Sequence, residues 1–123
     1  MRLHHSYNTI PTSGAAELRH FYSELLGLQE IPVARILAGR PLIWFQVGDD
    51  HLHFCLDDTW ERGHPDHHIA LLMEDLTPVL DRLRGAGLEV HENLAFDDYG
   101  YTRYYVFDPF GRQVEMITPI HAA

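Results

Sequence analysis

Three side chains far apart in this sequence have the types and placement to hold a metal ion: His5, His68 and Glu115. Each lies in a stretch that reads as a β-strand, where alternate residues share a face. His5, Tyr7 and Thr9 share one face, as do His68, Ala70 and Leu72, and Gln113, Glu115 and Ile117. If these three strands line one cup, two imidazoles and a carboxylate meet as a facial triad. Open positions then remain for substrate and for water or oxygen. Such donors suit Fe(II), Mn(II), Ni(II) or Zn(II), and the lack of thiolates argues against a structural zinc site. The chain has 10 histidines, with His51, His53, His64, His67 and His68 close in sequence. Enrichment alone decides nothing; placement on strands does. The alternative reading is a metal-free relative that has kept these residues, or plain surface groups.

The elements that must position the triad come in two similar series. Leu3–Ile10 reads as a strand. Ser13–Leu26 reads as an amphipathic helix, because Leu18, Phe21, Tyr22 and Leu25 fall on one face. Thr12 or Ser13 can cap its start, and Gly27 suits the left-handed position after its end. Strands Leu28–Leu37, Pro41–Val47 and His51–Asp57 follow. A linker through Gly63 and Pro65 leads to a second series: strand His68–Met73, helix Leu76–Ala86 and strands Leu88–Asn93, Tyr101–Phe107 and Arg112–Thr118. Asp75 is the candidate cap of the second helix, whose apolar face is Leu76, Val79, Leu80 and Leu83. The turn Asp108-Pro109-Phe110-Gly111 joins the last two strands. The order is βαβββ twice. His-Ser-Tyr-Asn before the first helix answers His-Ile-Ala-Leu before the second, and Gly-Leu follows both helices, so a duplicated half-domain is the simplest explanation. The expected architecture is α+β: one domain over 1–123, with modules of about 1–58 and 66–120 whose mixed sheets form a curved cup.

Composition narrows the function classes. At 123 residues and 46% hydrophobic content, the chain can bury a real core. Eighteen acidic residues against nine basic give a formal net charge of −9, which argues against nucleic acid or an anionic membrane as partner. All nine basic residues are arginine, so no lysine is present for a Schiff base. The single cysteine, Cys55, permits no internal disulfide and reads as a small buried strand residue. The first residues do not read as a signal peptide, and no apolar run reaches membrane-span length. A cytoplasmic protein is expected.

Four segments carry a family resemblance: Leu-His-His-Ser-Tyr-Asn-Thr-Ile-Pro at the start, Phe-Tyr-Ser-Glu-Leu-Leu-Gly-Leu at Phe21–Leu28, His-His-Ile-Ala-Leu at His67–Leu71, and Asp-Pro-Phe-Gly-Arg-Gln-Val-Glu at Asp108–Glu115. In order and interval they resemble the vicinal oxygen chelate superfamily, the glyoxalase, bleomycin-resistance and extradiol-dioxygenase group. The resemblance implies His5 rather than His4, His68 rather than His67, and Glu115 as metal ligands. The family's optional fourth ligand, a glutamate in glyoxalase I, matches His53. In the type I extradiol dioxygenases a histidine on that strand acts as an acid/base group, and a tyrosine shortly before the Asp-Pro-x-Gly turn matches Tyr105. His53 and Tyr105 are therefore the catalytic candidates. His53 as fourth ligand, as base, or as a plain cavity-lining residue all stay open, and Tyr105 reads more readily as a wall aromatic than as a catalyst.

The resemblance implies a metalloenzyme acting on the vicinal oxygens of a small-molecule substrate, with Fe(II) first among the ions. His53 and Tyr105 tilt it toward an extradiol-type ring-cleaving dioxygenase over a glyoxalase I-like lyase or isomerase. A metal-free drug-binding protein of the bleomycin-resistance type is the reading from a different class. A homodimer is expected from the resemblance. Fosfomycin-resistance relatives carry a threonine two residues after the first ligand and lysine near the phosphonate; Tyr7 stands at that position here. Ser6 and Asn8, with His4, put polar groups on the strand face that should pack on the helix. Trp60, Phe96, Tyr99, Tyr101 and Tyr104 read as loop and wall residues, and His64, His67, His91 and His121 as exposed or structural.

Overall fold

The computed structural model describes residues 1–93 and 99–120; Phe96 and His121 lie outside them. The fold is α+β and consists of two βαβββ modules, as the repeat predicts. The chain divides into two compact units, Met1–Glu61 and the residues from Arg62 onward.

In the first unit, β1 (His5–Ile10), β2 (Gln29–Ile31), β3 (Leu42–Val47) and β4 (Asp50–Leu56) form a sheet of order β1-β4-β3-β2. β1 runs parallel to β4, and the other pairs are antiparallel. The helix begins as α1 (Ala15–Arg19) and continues as a π-helical segment over His20–Leu25. The expected apolar face is intact: Leu18, Phe21, Tyr22 and Leu25 are all buried, and the widened last turn buries Leu26 as well. Tyr22 packs 4.8 Å from Phe54 and 5.9 Å from Phe45, ring to ring, which fixes the sheet face that the helix covers.

Two details of this unit differ from the sequence expectation, and a third bears it out. The helix starts later than Thr12 or Ser13, because the Gly14 N–H donates to the Pro11 carbonyl in a preceding turn; Gly14 occupies the cap position. The strand expected over Leu28–Leu37 stops at Ile31. Pro32 has no N–H for the ladder, and Arg35–Leu37 forms a short 3-10 turn instead. The polar residues of β1 do face the helix side, and they satisfy each other. The Asn8 side-chain amide donates to Ser6 Oγ at 3.1 Å and to the His53 carbonyl at 3.2 Å.

The second unit repeats the plan. β5 (His68–Leu72), β6 (His91–Asn93), β7 (Tyr101–Phe107) and β8 (Gln113–Pro119) take the order β5-β8-β7-β6, with β5 parallel to β8. Helix α2 (Thr77–Gly85) buries Val79, Leu80 and Leu83, while Leu71, Val106, Val114 and Met116 supply the buried face of the sheet. Asp75 accepts the Thr77 N–H through its side chain at 3.0 Å. Gly27 and Gly87 end the two helices at φ 83° and 81°, where a side chain would be strained.

Candidate functional site

The open face of the first sheet is set by register. His5 pairs with His51 and Tyr7 with His53 across β1 and β4; Trp44 pairs with His53 across β3 and β4. Leu52 and Phe54, the alternate residues of β4, are buried on the helix side, so His51 and His53 must face the other way. The His53 ring lies between two flat partners. Trp44 stacks on it at 3.8 Å and 6° between planes, and His5 at 4.3 Å and 23°. His53 Nε2 is 3.2 Å from His51 Nδ1, and His4 Nδ1 is 2.8 Å from His5 Nδ1. With 6% of its surface exposed, His53 is the most enclosed of these rings. Burial lowers its pKa to about 4, helped by repulsion from His5, His51 and His4. At neutral pH it is an uncharged imidazole with a lone pair to offer. His5, Tyr7, Arg40, Leu42, Trp44 and His53 line a cavity of about 240 Å³. The Tyr7 hydroxyl is hydrogen-bonded to Cys55, which raises its pKa above the ordinary value.

The open face of the second sheet carries the carboxylate. Glu115 pairs with Ala70 on β5 and with Tyr105 on β7. It is buried, with 6% of its surface exposed. His68 Nδ1 lies 2.7 Å from the Asp66 carbonyl, which can only accept, so Nδ1 carries the proton. Nε2 is thereby the ring nitrogen on the side of Glu115, 3.4 Å from Oε1. The same Oε1 accepts from Arg103 Nη1 at 2.6 Å, a charge-assisted bond. Arg103 and Glu115 line a cavity of about 280 Å³ together with Tyr99, Tyr101 and Ile117. Tyr105 stacks on His91 at 4.6 Å and 13° and meets Phe107 edge-on at 6.0 Å.

The two registers expose a correspondence within the duplication. His5 opposite His51 answers His68 opposite Gln113, so His53 stands at the register position of Glu115, and Trp44 at that of Tyr105. Of the sequence-derived candidates, the structure brings His5 to His53 in the first unit and His68 to Glu115 in the second. Tyr105 is the cross-strand neighbour of Glu115. Two site residues were missed from sequence: Trp44, the stacking partner of His53, and Arg103, the partner of Glu115. Arg103 was within reach of the reading. The tight turn fixes Phe107 opposite Gln113, and every second residue back along β7 then shares the face of Glu115.

Among the described residues, no group of three or more His, Cys, Asp or Glu side chains forms a ready-made metal cage. The donors still fit a divalent first-row ion in kind. His68 has its tautomer fixed by a backbone carbonyl, as metal-ligating histidines commonly do. His53 is neutral. Glu115 is a buried carboxylate whose negative charge currently faces a guanidinium.

The sequence profile of the Glyoxalase/Bleomycin resistance protein/Dioxygenase superfamily matches residues 2–116. No curated protein matches the chain. Among solved structures, a glyoxalase family protein from Bacillus anthracis is 27% identical, with 97% of this chain and 95% of that chain covered and a TM-score of 0.86. The oxidase ChaP-H1 is 25% identical, with 96% and 95% covered and a TM-score of 0.73. The fosfomycin resistance protein FosX from Mesorhizobium loti, at 16% identity, 96% and 91% coverage and a TM-score of 0.66, shares the fold. The chain belongs to the Glyoxalase/Bleomycin resistance protein/Dioxygenase superfamily.

Proposed function

We propose that this protein is a metal-dependent enzyme acting on the vicinal oxygens of a small substrate. His5, His68 and Glu115 are the ligands, and the ion is Fe(II), with Mn(II), Ni(II) and Zn(II) as alternatives. The observation that carries the reading is the His68–Glu115 pair: a buried carboxylate beside an imidazole whose Nδ1 is held by the Asp66 carbonyl, which puts Nε2 next to the carboxylate. A divalent ion held there would stabilise negative charge on the substrate oxygens. His53, uncharged and enclosed, is the group to take a proton from a substrate hydroxyl. Its lowered pKa makes it a weaker base than an ordinary histidine, so the transfer would depend on the ion acidifying that hydroxyl. Tyr105, held in place by His91, offers a hydrogen bond to the substrate. Oxygen-dependent cleavage of a catechol-type diol is favoured over glyoxalase-type isomerisation. A histidine rather than a carboxylate holds the register position at residue 53, and the likeness to an oxidase points the same way. The working form is a homodimer.

Elemental analysis of protein purified without chelator or nickel affinity tests the ligand set, beside Glu115→Ala. Near-stoichiometric metal in the wild type and its loss in the variant are expected. Iron leads to catechol cleavage assays, and nickel or zinc to hemithioacetal isomerisation. No binding after reconstitution with Fe(II), Mn(II), Ni(II) and Zn(II) overturns the enzyme reading.

One observation favours a second reading, a metal-free small-molecule binder. Arg103 already neutralises Glu115. On that reading the His5→Ala, Glu115→Ala variant binds its ligand as the wild type does.

A further inference from the structure

Arg103 competes for the oxygen that a metal would need. Its Nη1 is 2.6 Å from Glu115 Oε1, and His68 Nε2 approaches the same atom at 3.4 Å. A guanidinium is a permanent cation with a planar fork of donors. Its side chain is only 18% exposed, so that charge is largely withdrawn from water. Arg103 also forms part of the wall of the 280 Å³ cavity, whose other sides are Tyr99, Tyr101, Ile117 and Glu115. Two phenol rings and an aliphatic side chain favour a flat apolar body. A guanidinium in the same wall favours a carboxylate, whose two oxygens match its fork.

We infer that Arg103 selects the substrate by pairing with a carboxylate on a small aromatic molecule, and that this pairing frees Glu115 from the guanidinium. The second half rests on the proposed role of Glu115 as a metal ligand; the first half does not. The coupling follows from charge. Glu115 carries one negative charge, and a divalent cation together with Arg103 presents more positive charge than one carboxylate offsets. A substrate carboxylate on Arg103 offsets the guanidinium and halves that excess, whereas a neutral substrate leaves a buried cation beside the metal. Acid and metal must then favour each other's binding, and reciprocally so. Position adds a constraint on the pose. Arg103 pairs with Ile117 across β7 and β8, one step diagonally from Glu115. A carboxylate on the guanidinium is therefore anchored a side chain's length from Glu115, with the ring against Ile117 and Tyr101.

Benzoate and its neutral isostere benzamide are the probes, titrated calorimetrically into the full-length chain. Metal-stripped protein is used first, because benzoate can itself ligate a metal. Wild type is expected to bind benzoate a few-fold tighter than benzamide even while Glu115 shares the guanidinium, and Arg103→Met to lose that preference. Arg103→Lys, which keeps the charge without the fork, retains part of it. In a second titration, benzoate tightens Mn(II) binding to wild type several-fold and leaves that of Arg103→Met unchanged. Equal affinity for the two probes overturns the inference, as does a preference that survives in a folded Arg103→Met, or no benzoate binding at about 10 mM. Discrimination between the probes with no Mn(II) binding at all sinks the metal reading and the coupling while leaving Arg103 as the carboxylate site. The wild-type comparison needs no variant, so it stands even if Arg103→Met fails to fold.

Discussion

Glu115 and Arg103 form a buried ion pair in which each side chain keeps the other from being an unpaired charge. Removing one partner alone therefore costs more than removing both. In metal-free protein, Glu115→Ala is expected to lower stability by about 3 kcal/mol, and Arg103→Met with Glu115→Leu to recover most of that loss. Urea unfolding in chelator measures both, and a single-variant loss below about 1 kcal/mol would place the pair in water. His53 makes a different prediction. Its folded pKa, about 4, lies below the ordinary histidine value of 6.5, so the unfolded chain takes up its proton first as pH falls. The stability it contributes is complete above pH 6.5 and is lost between 6.5 and 4. The melting temperature of metal-free wild type should fall across that window, and His53→Asn should fall less steeply. Little of this was legible in the sequence. The alternation of β8 gives the direction of Glu115, but the tautomer of His68 depends on the backbone carbonyl of Asp66, a contact with no side-chain signature.

At the level of elements, much more could be read, because periodicity is set by backbone geometry. The buried faces of both helices are the residues that the 3.6-residue spacing selects, and Gly27 and Gly87 end them as expected. The strand that ran long in prediction was cut by Pro32, whose effect is written in the chain. The hairpin between β7 and β8 is pinned by Asp108. Its Oδ1 accepts from the Phe110 and Arg112 N–H groups at 2.9 and 2.8 Å, and its Oδ2 accepts from the Arg112 guanidinium at 3.0 Å. Asp108→Ala leaves these donors without their acceptor in a buried turn. It should cost about 2–4 kcal/mol, read from chemical denaturation. It should also loosen the register of Glu115 against Tyr105, visible as faster hydrogen exchange along β8. A loss within about 0.5 kcal/mol would mean that the strands themselves hold the register.

For the whole molecule, length, charge and duplication were legible, and partner and substrate were not, since one fold serves many chemistries. The net charge of −9 predicts no retention on immobilised DNA at low salt. The proposed dimer predicts a sedimenting mass twice the 14.2 kDa of one chain, and a monomer at micromolar concentration would refute it. None of the described helices is long and apolar enough to cross a membrane. The matched register of His53 and Glu115 has a consequence for how the site can be changed. The two modules offer the same structural address, filled by an acid in one and by an uncharged ring in the other. Because each address is set by its own sheet, either can change without disturbing the other. One codon change at residue 53 is enough to retune how much negative charge the protein offers a cation, and a duplicated scaffold of this kind can explore new reactivity one half at a time.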